Sequence, residues 1–323
     1  MYGLRSAIAT EVITRDDVLA AREAIAGRVH RTPTLTSASL ERELGVRVYL
    51  KAELFQRTGS FKPRGVLTKL ASLSDAEKAA GVIGISAGNH AQALAYGAAL
   101  EGVDALIVMW QGVSEQKLEA TRGYGARVDL EATDPGQAFD RLHELMEESG
   151  RTLVHPFDDP LVIAGQGTVG LEIAEDAPDA KLIVVPVGGG GLVSGIAIAT
   201  DARIVAVEPE TSAALHEALS AGEPVTITPE SIADGLNAPF AGANAVAICQ
   251  GRVESLLVSE DEIRAGFRFL YGRAKLACEP AAAAGVAALL AGKVPLGSTK
   301  AVAVVVSGGN VAVETAAAIL APR

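Results

Sequence analysis

The chain has 323 residues and a formal net charge of −11 at pH 7, with 49% hydrophobic and only 4% aromatic residues. That acidic balance excludes unassisted binding to nucleic acid or to an anionic membrane, and no basic stripe offsets it. The most apolar stretches, such as Ala301–Val306, are far shorter than the roughly 20 residues that span a bilayer. The length permits one large domain or two smaller ones with real cores. The leading residues MYGLRSAIATEV carry no apolar core followed by a cleavage site, so a cytoplasmic protein is expected. Cys249 and Cys278 sit in apolar surroundings without metal-ligand spacing and read as isolated buried thiols.

Short β-branched runs alternate with longer Ala-rich segments. In chain order the strand candidates are residues 46–50, 82–85, 105–109, 127–130, 182–187, 204–207 and 301–306. Between them, residues 91–100, 161–174 and 280–290 show apolar residues at helical spacing. Continuous apolar strands separated by helices are the signature of parallel sheets covered on both faces, which makes the chain α/β. No repeat, low-complexity tract or Pro/Ser-rich linker marks a domain boundary.

Three of these strands run into glycine and then a helix: 82–85 into Ser86-Ala87-Gly88-Asn89-His90, 182–187 into Gly188-Gly189-Gly190-Gly191, and 301–306 into Ser307-Gly308-Gly309-Asn310. In open α/β sheets ligands bind beyond the carboxyl ends of strands, where the next helix presents unpaired N–H groups. The four consecutive glycines are the strongest of the three signals. A tight turn needs one or two, whereas four bare N–H groups can converge on an anion at a positive helix end. No register of the run yields G-x-G-x-x-G, because Leu192, Val193 and Ser194 fill the positions a third glycine needs, although Glu208 lies at a distance suited to a ribose. No Lys-Ser or Lys-Thr pair follows, so a single phosphate fits better than a dinucleotide or a P-loop nucleotide. A further segment, Gln56 through Gly65, reads as a loop entering a helix with Pro63 in its first turn. It places Lys62 at a positive helix end, which lowers the ammonium pKa as a lysine that attacks a carbonyl requires.

On these segments the chain resembles the fold type II pyridoxal-phosphate enzymes, and within them the threonine/serine dehydratase and serine racemase group. The resemblance runs from His30-Arg31-Thr32-Pro33 through Ser60-Phe61-Lys62, the 86–90 loop, His155 to Pro160, Ala164-Gly165-Gln166-Gly167, the glycine run and Glu279-Pro280 to Ser307-Gly308-Gly309-Asn310. It implies two α/β domains built like the tryptophan synthase β chain, with the cofactor between them. A large domain of residues 1–69 and 149–323 would hold an inserted small domain of residues 70–148. It implies pyridoxal 5'-phosphate as cofactor, carried by Lys62 as a Schiff base, with Phe61 against the ring and Asn89 on the ring hydroxyl. Gly188, Gly189, Gly190 and Gly191 would cradle the phosphate, Ser307 would face the pyridine nitrogen, and Glu279 belongs to the cofactor site. The loop Ser86, Ala87, Gly88, Asn89 and His90 would receive the substrate carboxylate. A hydroxyl at position 307 does not keep the pyridine protonated, which suits direct loss of a β-hydroxyl after Cα deprotonation.

The implied activity is β-elimination from L-threonine or L-serine, giving 2-oxobutyrate or pyruvate and ammonia, with freed Lys62 as general base. The enzyme would be a homodimer or homotetramer acting on a small amino acid, with no nucleic-acid or membrane partner. Alternatives are a serine racemase, a dehydratase of hydroxyaspartate or phenylserine, and a non-catalytic cofactor carrier or amino-acid-binding module. Lys62, Asn89 and Ser307 together speak against a mere carrier. Racemases of this group place a second serine where this chain has Ala87, which favours the dehydratase. Where some members bind a divalent cation, Glu208 is present but the later carboxylate is Ala214, so no metal is expected. Met109-Trp110-Gln111 replaces Met-Pro-Glu, and Glu279-Pro280-Ala281-Ala282 replaces Glu-Pro-Ala-Gly. Trp110 is expected to cover the cleft entrance or, preferably, to pack between helices, and His90 to stabilise its loop rather than to catalyse. The regulatory domain of biosynthetic threonine dehydratases is not expected after the last helix.

Overall fold

The computed structural model describes residues 12–321, so residues 1–11 of the segment read for a signal lie outside it. In chain order the strands are β1 (Thr34–Thr36), β2 (Arg47–Ala52), β3 (Val82–Ile85), β4 (Ala105–Trp110), β5 (Arg127–Ala132), β6 (Thr152–Leu153), β7 (Leu182–Pro186), β8 (Arg203–Pro209), β9 (Val253–Val258) and β10 (Ala301–Val306). They form two sheets, ordered β1-β2-β10-β7-β8-β9 and β5-β4-β3-β6. Apart from the antiparallel β1–β2 pair, every pairing is parallel.

Parallel sheets persist where helices cover both faces, and the burial of alternate residues shows that here. Val302, Val304 and Val306 of β10, with Leu182 and Val184 of β7, face one core that includes Ala282, Val286 and Phe267. Ala303 and Val305, with Ile183 and Val185, face the opposite core with Val169, Val193 and Leu215. The helix Pro280–Leu290 is apolar all round, and ten of its residues are buried because it lies between the sheet and a neighbouring helix. Burying each such side chain is worth about 1.5–3 kcal/mol for the larger aliphatics. The smaller sheet has its own core, built on Val82, Leu94, Ala105, Ile107 and Met109. Cys249 and Cys278 are free and buried, and burial raises their thiols to about 11 and about 12. Among the described residues no helix is long and apolar enough to cross a membrane.

One helix contact fixes where Lys62 stands. The helix Lys62–Ala71 packs on the helix Pro160–Asp176 at paired glycines, where a Cβ on Gly165 would stand 2.7 Å from the Gly65 Cα. Backbones can approach that closely only without side chains. The first turn of the helix that opens with Lys62 is therefore held against the larger half of the molecule.

Candidate active site

The carboxyl ends of β3, β7 and β10 open onto one cavity of about 790 Å³. Phe61, Lys62, Ser86, Ala87, Gly88, Asn89, His90, Gly188, Gly189, Gly190, Gly191, Glu279 and Ser307 all line it. Residues from both ends of the chain are thus brought together by the parallel topology, as ligand binding at strand ends requires.

Lys62 opens its helix, and the loop before it is stitched to the end of β10. The Phe61 N–H donates to the Ser307 carbonyl at 3.2 Å and the Gly309 N–H to the Gly59 carbonyl at 2.9 Å. Thr58 adopts φ 59, an uncommon conformation for a branched residue, and the Asn310 amide holds its carbonyl at 2.7 Å. The Lys62 Nζ donates to the Pro156 carbonyl at 2.6 Å and lies 5.2 Å from the Phe61 ring centroid. Desolvation in the cleft lowers its pKa to about 8, against the pull of the Glu279 carboxylate. Burial, rather than the helix end named from sequence, is thus the leading cause of that depression.

The glycine run departs from ordinary turn geometry in ways that suit an anion. Gly190 has φ +93, and a Cβ at Gly189 would enter the Phe157 ring. Among the described residues the N–H groups of Gly188, Gly189, Gly190 and Gly191 donate to no protein acceptor. Four unclaimed donors at the start of the helix Gly191–Ala199 are the signature of a phosphate cradle. The site therefore fits a phosphorylated aldehyde cofactor: an amine poised near neutral pH faces a bare N–H nest.

The second loop has the same character. Among the described residues the Ala87, Asn89 and His90 N–H groups have no protein acceptor, and the Gly88 N–H donates to the Ser86 Oγ at 3.1 Å. The Asn89 amide donates to both Glu279 oxygens, at 2.9 and 3.1 Å, and its Oδ1 accepts from Asn310 at 2.8 Å. Burial raises the Glu279 carboxyl to about 7. Ser307 is buried, and its hydroxyl takes no partner among the described residues, which leaves it free for a ring nitrogen. The His90 ring turns inward, with Nε2 2.8 Å from the Val154 carbonyl, and burial lowers its pKa to about 3. A neutral, buried ring serves the loop, so only the His90 backbone is available to a ligand.

Glu208 is taken up structurally. Its oxygens accept the N–H groups of Leu215 and His216 at 2.7 and 2.8 Å, capping the helix Ala214–Ala221. Trp110 ends β4 in the cavity wall, the cleft-facing one of its two expected places, and also packs against the cluster that holds Ile85, Ala138 and Leu142. The bulge between Val108 and Trp110 re-aims this strand end. Several residues here were not singled out from sequence. Phe157 covers Gly189, and Asn310 holds Asn89. Lys117 pairs with Asp234 at the cavity wall. Phe157 and Asn310 stand inside quoted motifs, which was the available signal; Lys117 and Asp234 carried none.

The model of the family described as "Pyridoxal-phosphate dependent enzyme" matches residues 25–308. An "L-threonine ammonia-lyase" of Thermotoga maritima is 40% identical over 307 residues, 93% of this chain and 76% of that protein. Among solved structures, maize serine racemase superposes with a TM-score of 0.90 at 34% identity, covering 94% of this chain and 95% of that one. A threonine deaminase from T.th. gives 0.86 at 39% identity, covering 93% and 99%. The fold, the poised lysine and the two donor loops define a chain that binds a phosphorylated cofactor between sheets. This chain belongs to the pyridoxal-phosphate dependent enzymes, with the fold of the serine racemases and threonine deaminases.

Proposed function

We propose that the protein is a pyridoxal 5'-phosphate-dependent ammonia-lyase that converts L-threonine and L-serine to 2-oxobutyrate and pyruvate plus ammonia. The observation that carries this reading is the Lys62 amine, desolvated to about 8, in one cavity with the free donors of the 86–90 and 188–191 loops. The name of the 40% identical relative from Thermotoga maritima supports the substrate class. When bound, the cofactor supplies an aldehyde for amines and a ring that draws electrons from the substrate Cα.

The chain's own residues do the rest. The N–H groups of Gly188, Gly189, Gly190 and Gly191 would hold the phosphate, and the Ser307 hydroxyl would donate to the unprotonated ring nitrogen. Phe61 packs on the ring, while Asn89, oriented by Glu279 and Asn310, holds its hydroxyl. The substrate carboxylate lies on the backbone of Ala87, Gly88, Asn89 and His90 and on the Ser86 hydroxyl. That grip sets the Cα–H bond toward Lys62, which takes the proton as general base. Ala87 offers only a methyl on the opposite face, so a proton cannot be returned there and elimination dominates over racemisation. Glu208, committed to its helix cap, supports turnover without a divalent cation.

The same reading makes residues 1–69 with 149–323 and residues 70–148 two domains, and the enzyme a cytoplasmic homodimer or homotetramer. One reaction mixture tests its core: keto-acid detection beside chiral chromatography of unreacted L-serine. Pyruvate with negligible D-serine is the expected result; D-serine forming as fast as pyruvate would refute it. Chelator should leave the rate unchanged.

A further inference from the structure

Lys62 and Lys117 are the cations among the described residues lining the cavity, and Asp134, Asp234 and Glu279 are the anions. Lys117 comes from the helix Glu115–Gly123, which follows β4 in the smaller sheet's half. Asp234 comes from the turn Asp234–Leu236, packed on the helix Pro280–Leu290 in the larger half. Their side chains form an ion pair that joins the two walls of the cavity. The turn that carries Asp234 borders Glu279 in the lining of the cavity that holds Lys62. Gly235, adjacent to Asp234, lies against Glu279, since a Cβ there would be 3.4 Å from Glu279 Oε1. Glu279 in turn holds Asn89, the start of the helix behind the carboxylate loop. Lys62, Lys117 and Asp234 all act on the charge of Glu279, which places amine and ion pair in one electrostatic neighbourhood.

Resting on the ammonia-lyase reading, we infer that Asp234 is a specificity-determining residue: by holding Lys117 it keeps acidic β-hydroxy amino acids out and leaves neutral ones as substrates. Threonine and serine bring one carboxylate, which the 86–90 loop accommodates. A 3-hydroxyaspartate brings a second. Lys117, the cation free of the cofactor's chemistry, is already neutralised by Asp234, and Asp134 and Glu279 leave the remaining wall acidic. The second carboxylate therefore meets repulsion and no unpaired cation, whereas a methyl or hydrogen at the same place meets neither. Selectivity of this kind comes from an unfavourable contact with the wrong ligand more than from a favourable one with the right ligand. Removing the Asp234 charge while keeping its shape leaves Lys117 unpaired, so the wall gains one net positive charge that can receive the second carboxylate.

The test uses holoenzyme of the unaltered protein, Asp234→Asn, Lys117→Met and the double variant. kcat/KM is measured for keto-acid formation from L-threonine and L-threo-3-hydroxyaspartate. Asp234→Asn should raise the hydroxyaspartate-to-threonine ratio by about tenfold, a discrimination of about 1.4 kcal/mol. Lys117→Met and the double variant should show no such gain, because the receiving cation is gone. An unchanged ratio in Asp234→Asn, or an equal gain in the double variant, overturns the inference. So does an unaltered enzyme that already prefers 3-hydroxyaspartate. Succinate binding by titration calorimetry gives a second reading that needs no turnover. It should tighten about tenfold in Asp234→Asn and not in the double variant. If succinate behaves so while neither amino acid is consumed, the ammonia-lyase reading fails and the charge selectivity stands.

Discussion

Two sets of charges, one around the helix that opens with Lys62 and one at the cavity wall, live in different dielectric worlds. Around the helix, Arg64 makes bidentate contacts with two carboxylates, Glu53 at 2.8 and 2.8 Å and Glu172 at 2.7 and 3.0 Å. Lys51 adds a 2.6 Å bond to Glu172, and Thr32 a 2.5 Å bond to Glu53. Arg64, Lys51 and Glu53 are at most 1% exposed. Elsewhere, in the cavity wall, the Lys117–Asp234 pair leaves its side chains 33% and 51% exposed. Buried charges cannot be removed singly without stranding a partner, whereas half-exposed ones are screened and adjustable. The buried cluster is therefore read as a mount for Lys62, tying its helix to β2 and to the helix Pro160–Asp176. The cavity-wall pair is suited to discrimination.

The largest effect should come from Lys62 itself. Lys62→Ala should lower keto-acid formation by about 10⁴-fold or more, since the proposed function makes Lys62 both the cofactor's covalent anchor and the general base. Borohydride reduction of the unaltered protein followed by peptide mapping should place the pyridoxyl group on Lys62. A label on another lysine would break the assignment. Next comes the mount. Arg64→Met leaves Glu53 buried without a cation and Glu172 with Lys51 alone, and should destabilise the protein by about 3–5 kcal/mol in denaturant melts. A loss below about 1 kcal/mol would show that the buried cluster is no more than a surface-like pair.

What the sequence makes legible divides along the same line between local and distant. The strands free of polar residues, such as β3 and β10, can be read to the residue, because burial on both faces leaves no polar residue within them. The edge strand β9 cannot: Glu254 and Ser255 interrupt it, as an edge exposed on one side allows. β1 and β6 are too short to leave a pattern. The lysine, the glycine run and the 86–90 loop are local signals, each a strand or loop running into a helix. The contacts that tune them are not. Lys117 and Asp234 are 117 residues apart and Asn89 and Asn310 are 221, so only the folded topology brings them together. The choice between the two places of Trp110 is not legible for the same reason, since a bulge that re-aims a strand end leaves no composition signal.

A smaller effect concerns pH. Burial raises Glu279 to about 7, so between about 4.5 and 7 the folded protein binds a proton that the unfolded chain releases. That contribution is fully present below about 4.5 and is lost as pH rises through 7. The cofactor-free protein should accordingly lose stability over this window, by up to about 1.4 kcal/mol per pH unit from this group. Glu279→Gln should flatten the profile, as read by melts at pH 5 and pH 8; an unchanged slope would place the effect elsewhere. Lys62 moves oppositely: cofactor uptake by the apoprotein should quicken as pH rises toward about 8 and then level, because the neutral amine is the reacting form.

The smallest effect tests the cavity-wall pair as structure. A double-mutant cycle of Lys117→Met and Asp234→Asn on thermal stability should return a coupling below about 1 kcal/mol, shrinking further in high salt. Long side chains in partly solvated surroundings lose rotamer freedom when they pair, and water competes for both ends. The corresponding cycle on Arg64→Met and Glu172→Gln should return a coupling several times larger and nearly insensitive to salt, because burial excludes the screening ions. Should the two cycles give equal couplings, the contrast between the mount and the cavity wall would fail. Asp234 would then have to be treated as a structural residue, and any change of substrate preference in Asp234→Asn attributed to a shifted wall rather than to a released Lys117.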